Sequence, residues 1–323
     1  MQGKELSDPG AGQPVYVGVD VCKARLDVYL HPVGRRLSVA NGRDGLRRVK
    51  RVLGGHRVAL VVLEATGRYH RMAHRSLAAA GFAVAVVNPL RARLFAEASG
   101  ALAKTDRLDA RLLALLAAGL DPPARPPAPE PLEQLDELVR ARAAASAEAT
   151  ALANRLGASQ TGFLKAELRR RLASTKRHID RLQAEIARRI AADASLARRT
   201  AILVSIPGIG PVAAATLVVG LAELGSCSAK AAASLAGLAP VARDSGTANQ
   251  PRRIRGGRTQ PRAALYMAAL AATRHNPDLA AFYKRLRNNG KKPKLAITAV
   301  MRKLVVLANT LLTQNRTWTP TPP

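Results

Sequence analysis

Cysteine is nearly missing from this chain: Cys22 and Cys227 are the only two in 323 residues. They stand far apart, without metal-ligand or redox spacing, so no disulfide framework is available and a reducing, cytoplasmic compartment is expected. The six histidines form no H-x-x-x-H pair with cysteine partners, which argues against a zinc site. A Gly-x-x-x-x-Gly-Lys-Ser loop is absent, which removes a sugar-kinase-like ATPase although the opening strand-Asp pattern is shared. The N-terminus lacks a basic segment followed by an apolar core, so no signal peptide is expected. The longest apolar stretch, Leu112 to Leu120, falls short of a bilayer, and no membrane association is expected.

Acid is the other scarcity. Twenty-two Asp and Glu face 51 Lys and Arg, for a formal charge of +29 and a pI near 11.5. Arg- and Ala-rich codon usage accounts for part of the excess, but not for its placement. From Ser226 to the end there are two acids, Asp244 and Asp278, against about seventeen basic residues. Such a surface attracts polyanions, and phosphate neutralisation with counterion release is its commonest use. A nucleic-acid partner is therefore expected.

What is present divides the chain at Asp121–Pro131 (DPPARPPAPEP), whose prolines forbid helix and predict an extended spacer. Before it, and after a leader of about eleven residues, lies a unit over 12–120. Val15–Val21, Leu26–Leu30 and Leu37–Ala40 read as an antiparallel meander. A helix over Gly42–Leu53, a buried strand over Val58–Leu63, a helix near Tyr69–Ala80 and a strand over Ala83–Val87 follow. Helices beginning near Pro89 and Thr105 complete a mixed sheet of ribonuclease-H-like, α/β type. Over 132–199, Leu132, Leu135, Val139, Leu152 and Leu156, then Leu164, Leu168, Leu172, Ile179, Leu182, Ile186 and Ile190, recur at helical spacing. Two long helices forming a coiled-coil arm fit this pattern, and a plain helical bundle is the alternative. Over 200–315 the composition predicts a mostly α domain. The run Ile206-Pro-Gly-Ile-Gly-Pro resembles a helix-hairpin-helix turn, in which Gly208 and Gly210 would let backbone N–H groups approach a phosphate.

Four acids stand out by context. Asp20 ends the first strand and Glu64 the fourth, while Asp106 and Asp109 share one helical face at i, i+3 spacing. In a ribonuclease-H-like sheet the first and fourth strands are neighbours, so the four would meet at one edge. Crowded carboxylates repel unless cations compensate, and hard oxygen ligands suit a pair of Mg²⁺ or Mn²⁺ ions for phosphoryl displacement. Asp27 and Asp44 are the nearest competitors, set aside as lying on an exposed strand face and at a helix start.

The segments G-V-D-V-C-K, L-E-A-T-G-R-Y-H and K-T-D-R-L-D-A resemble the three acidic motifs of the DEDD-type insertion-sequence transposases (the IS one-ten and IS eleven-eleven class). I-P-G-I-G-P-V-A-A-A-T, A-S-L-A-G-L-A-P-V-A-R-D-S-G-T and R-R-I-R-G-G-R-T-Q-P-R resemble the family's C-terminal signature. The resemblance runs from about Val15 to Leu312 and implies a RuvC-like N-terminal domain, a coiled-coil arm and a C-terminal domain with a serine nucleophile. By motif position the tetrad is Asp20, Glu64, Asp106 and Asp109, and the serine is Ser245. A bridge RNA that pairs with donor and target DNA, and a homo-oligomer (dimer or tetramer), are implied with it. Arg243, Arg252, Arg253, Arg255 and Arg258 surround the serine as candidate phosphate holders. The paired glycines of Arg255-Gly256-Gly257, and Pro261 after them, depart from the family's usual arginine loop.

Three functions compete. A transposase or recombinase would use Ser245 with the metal-bound tetrad. A RuvC-like structure-specific endonuclease would use the tetrad and water, and needs no second domain. A nucleic-acid-binding scaffold with an inactive tetrad is disfavoured because all four acids are present.

Overall fold

The computed structural model describes residues 13–65, 67–100, 106–241 and 252–320, with side chains at 106–108 outside that description. The leader falls outside it. The chain divides into two compact units, Met1–Ala128 and Pro129–Pro323.

In the first unit, β1 (Val15–Val21), β2 (Arg25–His31), β3 (Arg35–Ala40), β4 (Val58–Glu64) and β5 (Val84–Val87) form one sheet in the order β3-β2-β1-β4-β5. The first three strands are the expected antiparallel meander, and β4 and β5 run parallel to β1 and to each other. The two-residue period of a strand sends Val15, Val17, Val19 and Val21 to one face, with Leu26, Val28 and Leu30 beside them. That face is covered by Leu46, Val49 and Leu53 of α1 (Arg43–Gly54) and by Ala73 and Leu77 of α2 (His70–Ala78). On the other face Leu60, Val62, Ala85 and Val87 pack under Leu113, Leu116 and Ala117 of α4 (Asp106–Leu120), and α3 (Pro89–Ala98) adds Ala92 and Phe95. Burial from both sides is why the β4 sequence runs apolar without alternation. The start of α3 follows local rules: Pro89 begins the helix and the Asn88 side chain accepts from the Leu90 N–H at 2.8 Å.

One close approach positions α4. A Cβ built on Gly18 would lie 2.0 Å from the Ala110 carbonyl oxygen and 2.4 Å from the Ala114 nitrogen. The helix backbone thus rests directly on β1, and only glycine admits it.

The proline-rich stretch forms neither helix nor strand from Asp121 to Pro129, but the next helix begins inside its expected bounds, at Glu130, because a proline is tolerated in a first helical turn. Part of the stretch is bound rather than free-running. The Arg125 N–H donates to the Val84 carbonyl at 3.0 Å, and the Arg125 carbonyl meets His74 Nε2 at 2.9 Å. Prolines deny the segment helical bonds, so the main-chain groups of Arg125 are satisfied on β5 and α2.

Among its described residues, the regular structure of the second unit is helical apart from one two-residue ladder. Its arm consists of α5 (Glu130–Ala158) and α6 (Gly162–Ala191), turned back on each other through Ser159–Thr161. Leu135, Val139, Ala145 and Leu152 face Leu168, Ile186 and Ile190 along the seam. Arg142 donates to Gln183 at 2.8 Å across it. At the base Arg188 and Arg189 flank Glu185, and their hydrogen bonds hold its carboxyl down at about 2. Around that base α7 (Ala194–Val204), α8 (Pro211–Gly220), α9 (Ala229–Leu235), α10 (Thr259–His275), α11 (Pro277–Asn288) and α12 (Pro293–Thr313) share one core.

Among the described residues α12 is long and apolar enough to cross a membrane by length and composition, which corrects the reading of Leu112–Leu120 as the longest apolar stretch. Its apolar side chains are spent inside the unit: Ile297, Val300, Met301, Leu304, Val305 and Leu311 are all in the core. The Asn309 side chain is buried among them, accepting from the Gly225 N–H at 2.9 Å and donating to the Cys227 carbonyl at 2.9 Å.

Gly18→Ala is expected to destabilise the first unit by about 3 kcal/mol or more, beyond ordinary overpacking, because both clashing partners are backbone. Gly54→Ala, which faces open space, is expected to stay within about 0.5 kcal/mol. Urea melts of the two variants against the parent check this, and equal midpoints would show that α4 lifts without penalty.

Candidate functional site

The sheet register decides where the strand-end acids stand. Val19 pairs with Leu63, so Asp20 and Glu64 are the next residues along two neighbouring parallel strands. Both belong to the face that α4 covers, since they alternate with the valines and leucines of the opposite face. Both are half-buried. Asp109 lies in the first turn of α4, one residue before the Ala110 carbonyl that rests on Gly18. The α4 backbone begins at Asp106, whose side chain lies outside the described residues. Gly18 is a residue that sequence reasoning quoted in a motif without assigning it work. Its signal was local: a glycine between valines in a strand marks a close backbone approach.

Asp27 is a second omission. It had been set aside as lying on an exposed strand face, but it is the antiparallel partner of Asp20, on the same face, with its side chain only 17% exposed. Like charges placed directly opposite each other are unfavourable. Arg25 answers this from two residues away, its Nε 2.7 Å from Asp27 Oδ2. Three adjacent strands, β2, β1 and β4, therefore each bring one carboxylate to a single face of the sheet. Asp44 is the surface helix-start residue expected, paired with Arg47 on the next turn.

A set of carboxylate oxygens suits a hard divalent cation by donor chemistry. Among the described residues no three His, Cys, Asp or Glu side chains converge closely enough to hold one. The fourth member, Asp106, lies outside that comparison.

In the second unit the arginine-rich segment begins on a short ladder: β6 (Pro240–Val241) pairs with β7 (Arg253–Ile254), Val241 opposite Arg253. Residues 242–251, which hold Arg243 and Ser245, connect the two and lie outside the described residues. Arg252, Arg253 and Arg255 are exposed. Behind β7 the chain is clasped to the end of α9. A Cβ on Gly257 would meet the Gly237 nitrogen at 2.1 Å, and one on Gly237 would meet the Gly256 carbonyl oxygen at 2.3 Å. The Arg258 N–H donates to the Leu235 carbonyl at 2.8 Å, and Arg262 donates to the Gly256 carbonyl at 2.7 Å. The paired glycines that depart from the usual loop are thus the surface on which this clasp closes.

Arg258 differs from its neighbours. Its guanidinium forks onto Glu223, with both bonds at 2.6 Å, and also donates to the Gly220 carbonyl at 2.9 Å. In this structure an internal carboxylate occupies the guanidinium fork that the sequence reading offers to a phosphate. Gly208 likewise has a packing role: a Cβ there would strike Ala272 Cβ at 2.6 Å and its nitrogen at 2.7 Å. Gly210 is exposed at the N-cap of α8, with open space around it. Burial and then the charge of Glu223 push the Cys227 thiol pKa up, which disfavours its thiolate.

Gly257→Ala is expected to open the clasp. Amide exchange at Arg258 should rise by about tenfold or more while the α12 amides hold, since local opening leaves the core intact. Unchanged protection at Arg258 would show that the glycine contact is incidental.

A family model described as a transposase, of the DEDD type associated with IS110, matches residues 17–162. A second, described as the transposase IS116/IS110/IS902 family, matches residues 200–284. A pilin gene-inverting protein of Moraxella bovis is 29% identical over 93% of this chain and 96% of its own length. The insertion element IS116 uncharacterized 44.8 kDa protein of Streptomyces clavuligerus is 37% identical over 39% of this chain and 32% of its own. For the insertion element IS900 uncharacterized 42 kDa protein of Mycobacterium paratuberculosis the identity is 36%, over 33% of this chain and 27% of that protein. The first model takes in Asp20, Glu64, Asp106 and Asp109, and the second takes in Gly208, Ser245 and the arginines, so both groups of candidate residues lie within matched sequence. The chain belongs to the IS110-type family of insertion-element proteins and is a DNA transposase or recombinase.

Proposed function

We propose that this protein cuts and exchanges the DNA strands of an insertion sequence, using Asp20, Glu64, Asp106 and Asp109 as its acidic site and Ser245 as nucleophile. The observation that carries the proposal is the register of β1 and β4, which makes Asp20 and Glu64 neighbours on the face where Asp109 begins α4. Further support comes from the sheet order β3-β2-β1-β4-β5 with three antiparallel and two parallel members, the pattern of a ribonuclease-H-like or RuvC-like domain. The seam of α5 and α6 supports a coiled-coil arm.

Asp20, Glu64, Asp106 and Asp109 would hold Mg²⁺ or Mn²⁺, which when bound neutralises their mutual repulsion and stabilises charge on a scissile phosphate. The chain's own residues do the rest. Arg252, Arg253 and Arg255 hold the phosphate oxygens, with Arg243 as a further candidate. The Ser245 hydroxyl oxygen bonds phosphorus and gives up its proton, and the P–O bond to one DNA strand breaks as that oxygen leaves protonated. The phosphoserine link conserves the ester, and the hydroxyl of a second strand reverses the step onto a new partner. Exchange between two duplexes needs such a site at each, which fits a dimer or tetramer. The surplus of Lys and Arg also suits a bridge RNA as a guiding partner. A DNA substrate and two widely spaced cysteines suit a cytoplasmic setting.

A second reading has one observation in its favour. The Moraxella relative matched over nearly its whole length is a pilin gene-inverting protein, and the same strand exchange would then invert a segment flanked by two sites rather than move an element. A resolvase-like endonuclease, in which water replaces Ser245, remains the alternative chemistry.

Asp20→Asn, Glu64→Gln, Asp106→Asn and Asp109→Asn are each expected to abolish strand exchange with little change in DNA affinity. Ordinary activity in any one removes that residue from the site. Ser245→Ala separates the two chemistries. Denaturing gels of protein incubated with labelled element ends and the RNA that copurifies should show a protein-linked DNA band for the parent and none for the variant. Efficient cleavage by Ser245→Ala would assign the attack to water and return the protein to the nuclease class.

A further inference from the structure

The arm carries a charge pattern that its own packing does not explain. α6 holds nine Lys and Arg against three Asp and Glu, whereas α5 holds three Arg against five acids. Taking 100° per residue, the seam residues Leu168, Ile186 and Ile190 share one side of α6. On the side diametrically opposite, Arg170, Arg177, Arg181 and Arg188 fall within an arc of about 40°. All four are exposed. The row runs parallel to the helix axis for about 27 Å at 1.5 Å per residue.

Its two ends are compensated on the same helix, Arg170 by Glu167 and Arg188 by Glu185. Its middle is not. Among the described residues neither Arg177 nor Arg181 forms an ion pair, and at i, i+4 spacing they repel each other. Lys176 and Arg169 flank the row and are also exposed. A solvated helix gains nothing from stacking four like charges on its outermost line. A row of cations at fixed spacing is complementary to phosphates that are themselves held at fixed spacing.

From this we infer that the outer face of α6 is a docking track for the phosphate backbone of duplex DNA, a contact outside the acidic site. The rigid length of the row favours a duplex, whose phosphates are fixed along and across its grooves, over a single strand, whose phosphates are not. The choice of DNA rests on the reading of the chain as a DNA recombinase. The arm thereby grips DNA beyond the strands being exchanged, through a contact that carries no sequence information.

Full-length protein and a duplex of about 40 base pairs, in chelator so that no strand is cut, provide the test. Each lost phosphate contact lowers the slope of log K against log salt by about 0.9. Arg177→Gln/Arg181→Gln is expected to lower that slope by about two and the affinity about tenfold near 0.1 M salt, with helicity by circular dichroism unchanged. Arg177→Lys/Arg181→Lys keeps the charges and should keep the slope. A parental slope in the Gln double variant would overturn the track. So would equal loss in the Lys and Gln variants, since packing rather than charge would then be at work. Loss on duplex RNA with duplex DNA unaffected would overturn the choice of DNA. Because only binding is read, these outcomes are independent of whether the acids or Ser245 carry the chemistry. A parent that binds DNA without any salt dependence would overturn the DNA reading as well as the track, and is told apart by needing no variant.

Discussion

Where α4 crosses β1, the carbonyl of Ala110 occupies the space that a Cβ at position 18 would need, so helix and strand meet backbone to backbone. Much of the first unit follows from that contact. It brings the first turn of α4 to the end of the sheet at which β1 and β4 finish with Asp20 and Glu64. It also fixes which face is the acidic one, because the alternation that puts Gly18 under the helix puts Asp20, two residues on, on the same side. Leu60 and Val62 of β4 and Leu113 and Leu116 of α4 belong to the layer that holds the helix down. A strand-end carboxylate is unremarkable by itself. Here carboxylates on adjacent strands share one face beneath a helix whose first turn carries Asp109.

Electrostatics divides the labour between the units. The first unit gathers acids on one sheet face, with Arg25 as a counter-charge to Asp27. The second is almost stripped of acids past Ser226, and Glu223, just before that point, is used to hold Arg258. Arg258 therefore stabilises the base of the segment while Arg252, Arg253 and Arg255 stay exposed. The glycine contact between positions 237 and 257 has the same effect by steric means. A segment that offers charge to a polyanion needs a rigid root, because mobile arginines lose more entropy on docking.

What the fold adds at several positions has one cause, which is that a residue's partner across the chain is not written in its local sequence. Asp27 was passed over because the strand pattern cannot say which strand lies opposite, whereas the register pairs it with Asp20. Gly208 was read for its freedom to approach phosphate, and it is Ala272 of α10, far along the chain, that uses the missing side chain. Arg258 looked like the arginines beside it until Glu223 was found within reach. The apolar character of α12 was underestimated because Arg302 and Lys303 interrupt the run in sequence, whereas on the helix they fall beside a buried stripe from Ile297 to Leu311.

The sequence by itself determined the elements and their order: β-branched runs made strands, 3.6-residue periods made helices, and prolines at Asp121–Pro131 ended the first unit's helices. It also determined the chemistry available, through a basic surplus and a small number of acids at strand ends and a helix start. These are local properties, carried by propensity and period. The tertiary structure alone decided which acids share a face, which arginines are engaged internally, and which glycines are sites of contact. Those outcomes depend on strand register and on helix-to-sheet distance, quantities set by residues far apart in the chain and by the packing of both sheet faces at once.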